Sequence, residues 1–286
     1  VELITDLRRA DWLVPRLQAF GTVAGTVGAD FEGYVRILHP LSAFREDPSR
    51  PERHGEPDDD AVVESGTWRW SDVAVRTGRT IEAGTSWRTV SGSREDDVLF
   101  DDGWRVEPPA EGWLEPGLLA ALTPHLAAST ATPSDLVAAI WDGWSDLSGG
   151  ATLASAWEGG TPSRAERVAA ESESAQLRAA HEASLRAVRH ALAAPRLHLP
   201  YREHFLVRTT LADWADPTWT ERAAIADGVP LAHTPQLLWP EDHAWVLGTE
   251  IDSDSTLVAG PRRLVDAVLT DGRFEAYEVD PASGLR

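Results

Sequence analysis

Apolar residues recur along this chain at helical spacing in some segments and at strand spacing in others, without a steady βαβ rhythm. Asp11 to Phe20 places Trp12, Leu13 and Leu17 on one side and predicts a short helix. The small and β-branched run Gly21 to Val27, and the mixed run Phe31 to His39, predict a hairpin. Residues 45–61 carry Pro48, Pro51, Pro57 and Asp58–Asp60, and predict a flexible polar loop. Ser71 is placed to cap a short helix through Val75, and an irregular stretch then runs to about Trp104. Gly117 to Ala128 is helical in period, with Leu118, Leu119, Leu122 and Leu126 facing a core and Pro124 as a candidate kink. Asp135 to Trp144 is short, apolar and ends in Asp142–Gly143, which favours a buried strand.

Ser163 and Glu166 have capping-box spacing, Pro195 stops the pattern, and Leu177, His181, Leu185, Val188 and Leu192 recur at steps of three or four. A long Ala/Glu-rich helix over 163–194 follows, about 48 Å in reach, with a packing face only in its second half. Leu197 to Leu211 reads as a strand, His243 to Ile251 as another, Asp252 to Ser255 as a turn, and Thr256 to Ala259 as a returning strand. Pro261 opens a helix over Arg262 to Leu269, and Phe274 to Val279 is a final strand. The expected fold class is therefore α+β, with a mixed or antiparallel sheet and flanking helices, as one unit over residues 1–286.

Composition narrows the chemistry. The chain contains no Lys, Asn, Met or Cys, and its abundance of Ala, Gly, Pro and Arg suits a high-GC coding sequence. Without Cys, thiolate catalysis, disulfides and Cys-ligated zinc are excluded. Without Lys, so are a Walker phosphate loop, a kinase site and a Schiff-base cofactor. The formal net charge of −20 repels phosphate backbones and anionic lipid, and the Arg262–Arg263 pair is too small to make a basic patch. Nucleic acid and membranes are thus not expected partners, and the charged N-terminal stretch argues for the cytoplasm.

Several blocks stand out: Tyr34-Val-Arg-Ile-Leu-His39-Pro40, Ile140-Trp-Asp-Gly-Trp144, Leu199-Pro-Tyr-Arg202, and Trp239-Pro-Glu-Asp-His-Ala-Trp245 running on through Thr249-Glu-Ile-Asp252 to Thr256. In these the chain resembles a family of uncharacterised proteins from high-GC actinobacteria. The resemblance spans about residues 12–281 and implies a single folded unit, without assigning an activity.

Candidate chemistry is sparse. Asp252-Ser253-Asp254-Ser255-Thr256 matches the DxDxT signature of haloacid-dehalogenase-type phosphotransferases, in which the first Asp attacks phosphorus. The Lys and the later acidic pair of that chemistry are missing, so the segment reads as a hairpin turn. As a calcium loop it lacks the Gly at position six and the Glu at position twelve. No HExxH, GxGxxG or GxSxG occurs, and no metal or cofactor is indicated. His198 and His204 fall at even spacing on one expected strand, where Arg202 would join them on the same face. Asp142 and Glu250 lie near ends of apolar strands and suit acid/base work only if they converge. The 13 tryptophans are the unusual positive feature: Trp141 and Trp144 flank Asp142–Gly143, and Trp68 and Trp70 share one face of a possible strand.

These residues support a non-catalytic binding protein whose partner is a basic protein or a small molecule. The other readings are a hydrolase using carboxylates and His from Asp142, His204, Glu250 and Asp252, and a purely structural subunit. The candidate ligand-binding set is Trp141, Asp142, Trp144, Arg202, His204, Glu250 and Asp252.

Overall fold

The computed structural model describes residues 1–47, 62–92, 97–148, 182, 186, 188, 192–226 and 229–285. Its main sheet is antiparallel throughout. Three strands come from the first half of the chain: β1 (Glu2–Ile4), β2 (Gly33–Leu38) and, after an excursion described below, β7 (Leu136–Trp141). A small second sheet occupies that excursion, with β3 (Leu41–Glu46), β4 (Val62–Trp68), β5 (Val98–Leu99) and β6 (Trp104–Val106). The main sheet resumes with β8 (Leu197–Leu199) and β9 (Arg202–Thr209); a ribbon of β10 (Ala224–Ala226) and β11 (Val229–Pro230) stands apart. The last four strands, β12 (Leu237–Pro240), β13 (Val246–Gly248), β14 (Ser255–Gly260) and β15 (Ala276–Glu278), complete the order β1-β9-β7-β12-β13-β14-β2-β15, with β8 added beside β9. The α+β class with a mostly antiparallel sheet is thus observed.

Each face of the main sheet is apolar, as its fully buried central strands require. One face carries Val35, Ile37, Ala138, Ile140, Phe205 and Val258 against helices α4 (Pro116–Ala127) and α5 (Arg262–Thr270). The other carries Val137, Ala139, Leu206, Leu237 and Trp239 against Ala10, Leu13, Val23 and Val27 of the N-terminal segment. The small sheet packs Leu41, Ala43 and Val106 on α2 (Trp70–Thr77) and α3 (Trp87–Ser91) through Trp70, Val73, Trp87 and Val90.

Local chemistry explains where the sequence reading fails. Asp11 to Phe20 is not an α-helix: Pro15 allows only a 3₁₀ turn at Val14–Arg16, after another at Leu7–Ala10. Gly21 to Val27 is not a strand. Thr22 Oγ1 accepts from Gly25 N at 3.0 Å and Gly28, at φ 85°, ends a short helix, α1 (Val23–Val27). Gly25 cannot be larger, since a Cβ there would lie 2.1 Å from the Ala19 carbonyl oxygen. Gly248 lets α1 settle on β13, because its Cβ would meet Val27 Cγ1 at 2.7 Å. The C-terminal stretch ties this corner down: Val23 N donates to Ser283 O, Ala24 N to Pro281 O, and Leu285 N to Gly21 O.

The helix capped near Ser71 begins at Trp70, with Asp72 accepting from Arg69 N. Trp68 therefore ends a strand while Trp70 starts a helix, buried and donating from Nε1 to His39 O, so the two do not share a face. Helix α4 passes through Pro124 without breaking. Proline cannot donate to Ala120 O, and Thr123 Oγ1 donates to it instead at 2.8 Å. Of the expected loop, Arg45 and Glu46 belong to β3; residues 48–61 lie outside the described residues, as does most of the 163–194 helix. Glu182, Arg186 and Val188 are helical, and the long Ala/Glu-rich helix as a whole is not shown.

Candidate functional site

Leu197 to Leu211 is a hairpin rather than one strand. Leu199 pairs with Arg202 across a two-residue turn, with Pro200 followed by Tyr201 at φ 70°. Proline supplies the first bend of a type II turn; the second position demands positive φ and is normally Gly or Asn. His198 and His204 thus sit on different strands. His198 is exposed and pairs with Glu203 at 2.9 Å, while His204 lies opposite Leu197 and Trp141 and is 4% exposed.

Arg202 and His204, two apart on β9, share a face and line a recess where the main sheet meets the N-terminal corner. Leu17, Phe20 and Thr26 form one wall, Leu199 and Pro200 another, and Gln236 and Ile251 close the end, around a small cavity of about 50 Å³. Glu250 enters beside Arg202, whose Nε donates to Glu250 Oε1 at 3.0 Å and whose second terminal nitrogen donates to Asp252 Oδ2 at 2.7 Å. Glu250 Oε2 also accepts from Asp252 N at 2.8 Å. From behind, the Trp141 ring lies 5.4 Å from the Arg202 guanidinium. That ring rests on Gly143, where a Cβ would fall 2.1 Å from Trp141 Cζ2, so the Asp-Gly pair is a seat for the indole.

Five of the seven residues singled out from the sequence therefore converge: Trp141, Arg202, His204, Glu250 and Asp252. Of the other two, Asp142 turns away and accepts from Arg196 Nε at 3.2 Å. Trp144, stacked on His233 with ring centres 4.0 Å apart, flanks the set: its ring centre lies 5.4 Å from that of Trp141 and its Nε1 donates to Gln236 Oε1 at 3.4 Å. Gln236 links the groups, its Oε1 accepting from Trp141 N at 2.7 Å and its Nε2 donating to Thr234 O at 2.9 Å. The turn expected at Asp252–Ser255 is present between β13 and β14. Its Asp254 points inward to Arg36, at 2.8 Å, rather than to any phosphoryl site.

His204 is the outlier of the cluster. Its Nδ1 is buried with no hydrogen-bond partner among the described residues. Burial, with a smaller push from the Arg202 charge, holds its pKa down at about 4, so the ring is neutral near pH 7. Among the described residues no hydrogen bond or ion pair joins a carboxylate to it. Glu250 and Asp252 are both held by Arg202 and Asp142 by Arg196, so no described carboxylate of the set is placed to take a proton beside His204. No group of three or more His, Asp or Glu able to hold a metal occurs among the described residues.

Two residues at the mouth escaped the sequence reading. Phe20 and Tyr201 are 39% and 78% exposed, with ring centres 4.9 Å apart. The signal was Pro200: proline inside an apparent strand marks a turn. A non-glycine residue at positive φ costs about 1 kcal/mol or more, and an aromatic pair contributes about 1 kcal/mol. Tyr201→Gly is accordingly expected to shift stability by less than about 1 kcal/mol in urea unfolding, strain relief offsetting the lost ring pair. A loss above about 2 kcal/mol would show that the ring supports the fold and is not spare surface.

Compared with models of known families, with curated proteins and with solved structures, the chain matches none of them. Among the described residues no helix is long and apolar enough to cross a membrane.

Proposed function

We propose that this protein binds a small molecule in the Arg202–His204 recess without transforming it. The observation that carries the reading is His204, which lines the recess and whose buried Nδ1 has no hydrogen-bond partner among the described residues. A buried polar atom left unsatisfied costs about 1–3 kcal/mol, which a ligand hydrogen bond recovers. The rest of the lining defines the ligand. Leu17, Phe20, Leu199 and Ile251 favour an apolar body. The single Arg202 charge is opposed by two carboxylates, and the chain carries −20 overall, so the polar group is neutral or cationic rather than anionic. A hydrolase reading has less support, because its carboxylates are already engaged by arginine.

Thermal unfolding with benzylamine, indole and benzoate as probes tests this. Benzylamine or indole at about 100 times its dissociation constant should add roughly 2.7 kcal/mol, or several degrees in Tm, and benzoate should not. His204→Leu should remove the shift. Equal stabilisation by benzoate, or a shift that survives His204→Leu, would overturn the proposal.

A further inference from the structure

The mouth of the recess is crossed by an aromatic contact between two remote parts of the chain. Phe20 stands on the N-terminal segment and Tyr201 at the tip of the β8–β9 turn, with ring centres 4.9 Å apart and planes tilted by 57°. Both side chains are exposed, so burial does not hold them in place. Tyr201 also keeps a positive φ of 70°, at a turn position where Gly would sit without strain. Strain retained at a non-glycine residue clusters at ligand clamps and switch regions. Beneath the pair, Pro200, Arg202 and His204 line the recess.

The room available decides what must move. The cavity of about 50 Å³ is about a third of the roughly 150 Å³ that accommodates benzene, so it takes water but not a ring compound. A ligand with an apolar body therefore has to displace part of the lining. The walls themselves resist. Residues 281–285 hydrogen-bond to residues 21–24 just behind Phe20, and Leu199 is paired with Arg202 across the turn. The two rings resist least. Exposed side chains change rotamer within picoseconds to nanoseconds, and parting this pair gives up a ring contact while every backbone hydrogen bond stays made.

We infer that the Phe20–Tyr201 pair is the gate of the recess, parting to admit the ligand and closing over its apolar body. Tyr201, the more exposed of the two, is the moving half, and Phe20, which lines the recess, is the surface it closes on. The inference rests on the reading of the recess as a ligand site, but its claim about access to His204 is tested without a ligand.

Diethyl pyrocarbonate acylates a nitrogen of a neutral imidazole and must pass the mouth to reach His204, so its rate of reaction with the full chain at pH 7 measures the gate. Trypsin cuts after Arg196, Arg202 and Arg208, which puts His204 on peptide 203–208 and both His198 and Tyr201 on peptide 197–202. Exposed His198 gives the reference rate, and fully buried His39 reports any general loosening of the fold. The contact of one aromatic pair, about 1 kcal/mol, corresponds to about fivefold in the open population. His204 should therefore be acylated about five times faster in Tyr201→Gly than in wild type. Phe20→Ala should act in the same direction, and Tyr201→Phe should keep the wild-type rate. Equal His204 rates in wild type and Tyr201→Gly, a Tyr201→Phe chain as fast as Tyr201→Gly, or an acceleration that His39 shares would each overturn the gate. The thermal-shift series reports on the ligand separately: its failure beside an accelerated His204 leaves the access claim standing.

Discussion

Lowering the pH from 6.5 to 4 is expected to remove several kcal/mol of folding stability through two buried histidines. His39 is fully buried; its Nδ1 lies 2.6 Å from Ala110 O and its Nε2 2.9 Å from Thr256 Oγ1. A carbonyl only accepts, so Nδ1 carries the proton and Nε2 accepts from the threonine hydroxyl, which fixes a neutral ring. Burial, the dominant cause, holds the His39 pKa at about 4, as it does for His204, against an ordinary value of 6.5. Below 6.5 the unfolded chain takes up protons that the folded chain refuses, so stability falls until the folded histidines also protonate near 4. Each histidine contributes roughly 3 kcal/mol to that loss, from about 2.5 pKa units. Asp6 and Asp216, held at about 2 by Arg8 and by Thr218 with Arg222, act at lower pH: their contribution is lost only as pH falls through about 4 to 2. Urea unfolding at intervals between pH 7 and 4 measures the effect, and His39→Gln isolates one residue by difference, since changes in the general charge are common to both chains. If wild type and His39→Gln fall in parallel over that window, His39 titrates equally in both states and the argument fails.

Replacing Arg36 should cost about 3–5 kcal/mol, the range for removing one partner of a buried ion pair. Arg36 is 2% exposed on β2 and uses its whole guanidinium. Nε donates to Ser255 Oγ at 2.8 Å, one terminal nitrogen to Asp254 Oδ1 at 2.8 Å, and the other to the carbonyls of Ala83 and Thr85 at 3.2 and 2.8 Å. Arg36→Met keeps the bulk but strands a carboxylate and two carbonyls. Lysine cannot reach four acceptors in one plane, so Arg36→Lys should recover only part of the loss. Amide exchange should speed up in the segment around residues 83–85, which this side chain pins to the main sheet. A cost below about 1 kcal/mol for Arg36→Met, with unchanged exchange there, would show that water replaces the guanidinium freely.

Much of the fold beyond residue 115 is legible from residue pattern: α4, β7, the β13–turn–β14 hairpin, α5 and β15 all follow apolar period and proline placement. The N-terminal region is not, because single residues override the average. Thr22 and Gly28 make a helix of a run whose β-branched content suggests a strand, and Pro15 reduces an amphipathic stretch to isolated turns. Strand β12 was hidden by Pro240, which sits at its end, opposite Leu136. The candidate site is half legible. Even spacing puts Arg202 and His204 on one face, but their meeting with Glu250 and Asp252 depends on a sheet order that places two strands, β7 and β12, between β9 and β13. No local pattern encodes that order. Arg36 was readable in principle, as the one charge in a strand buried along its length.

The hydrogen bonds from residues 281–285 to residues 21–24 also set a timetable. On the ribosome, at about 5–20 residues per second, tens of seconds separate synthesis of α1 from that of its anchor. Throughout that interval α1 lacks the hydrogen bonds that Ser283 and Pro281 accept from Val23 and Ala24. A chaperone that shields short apolar segments has that interval in which to act on Val23 and Val27.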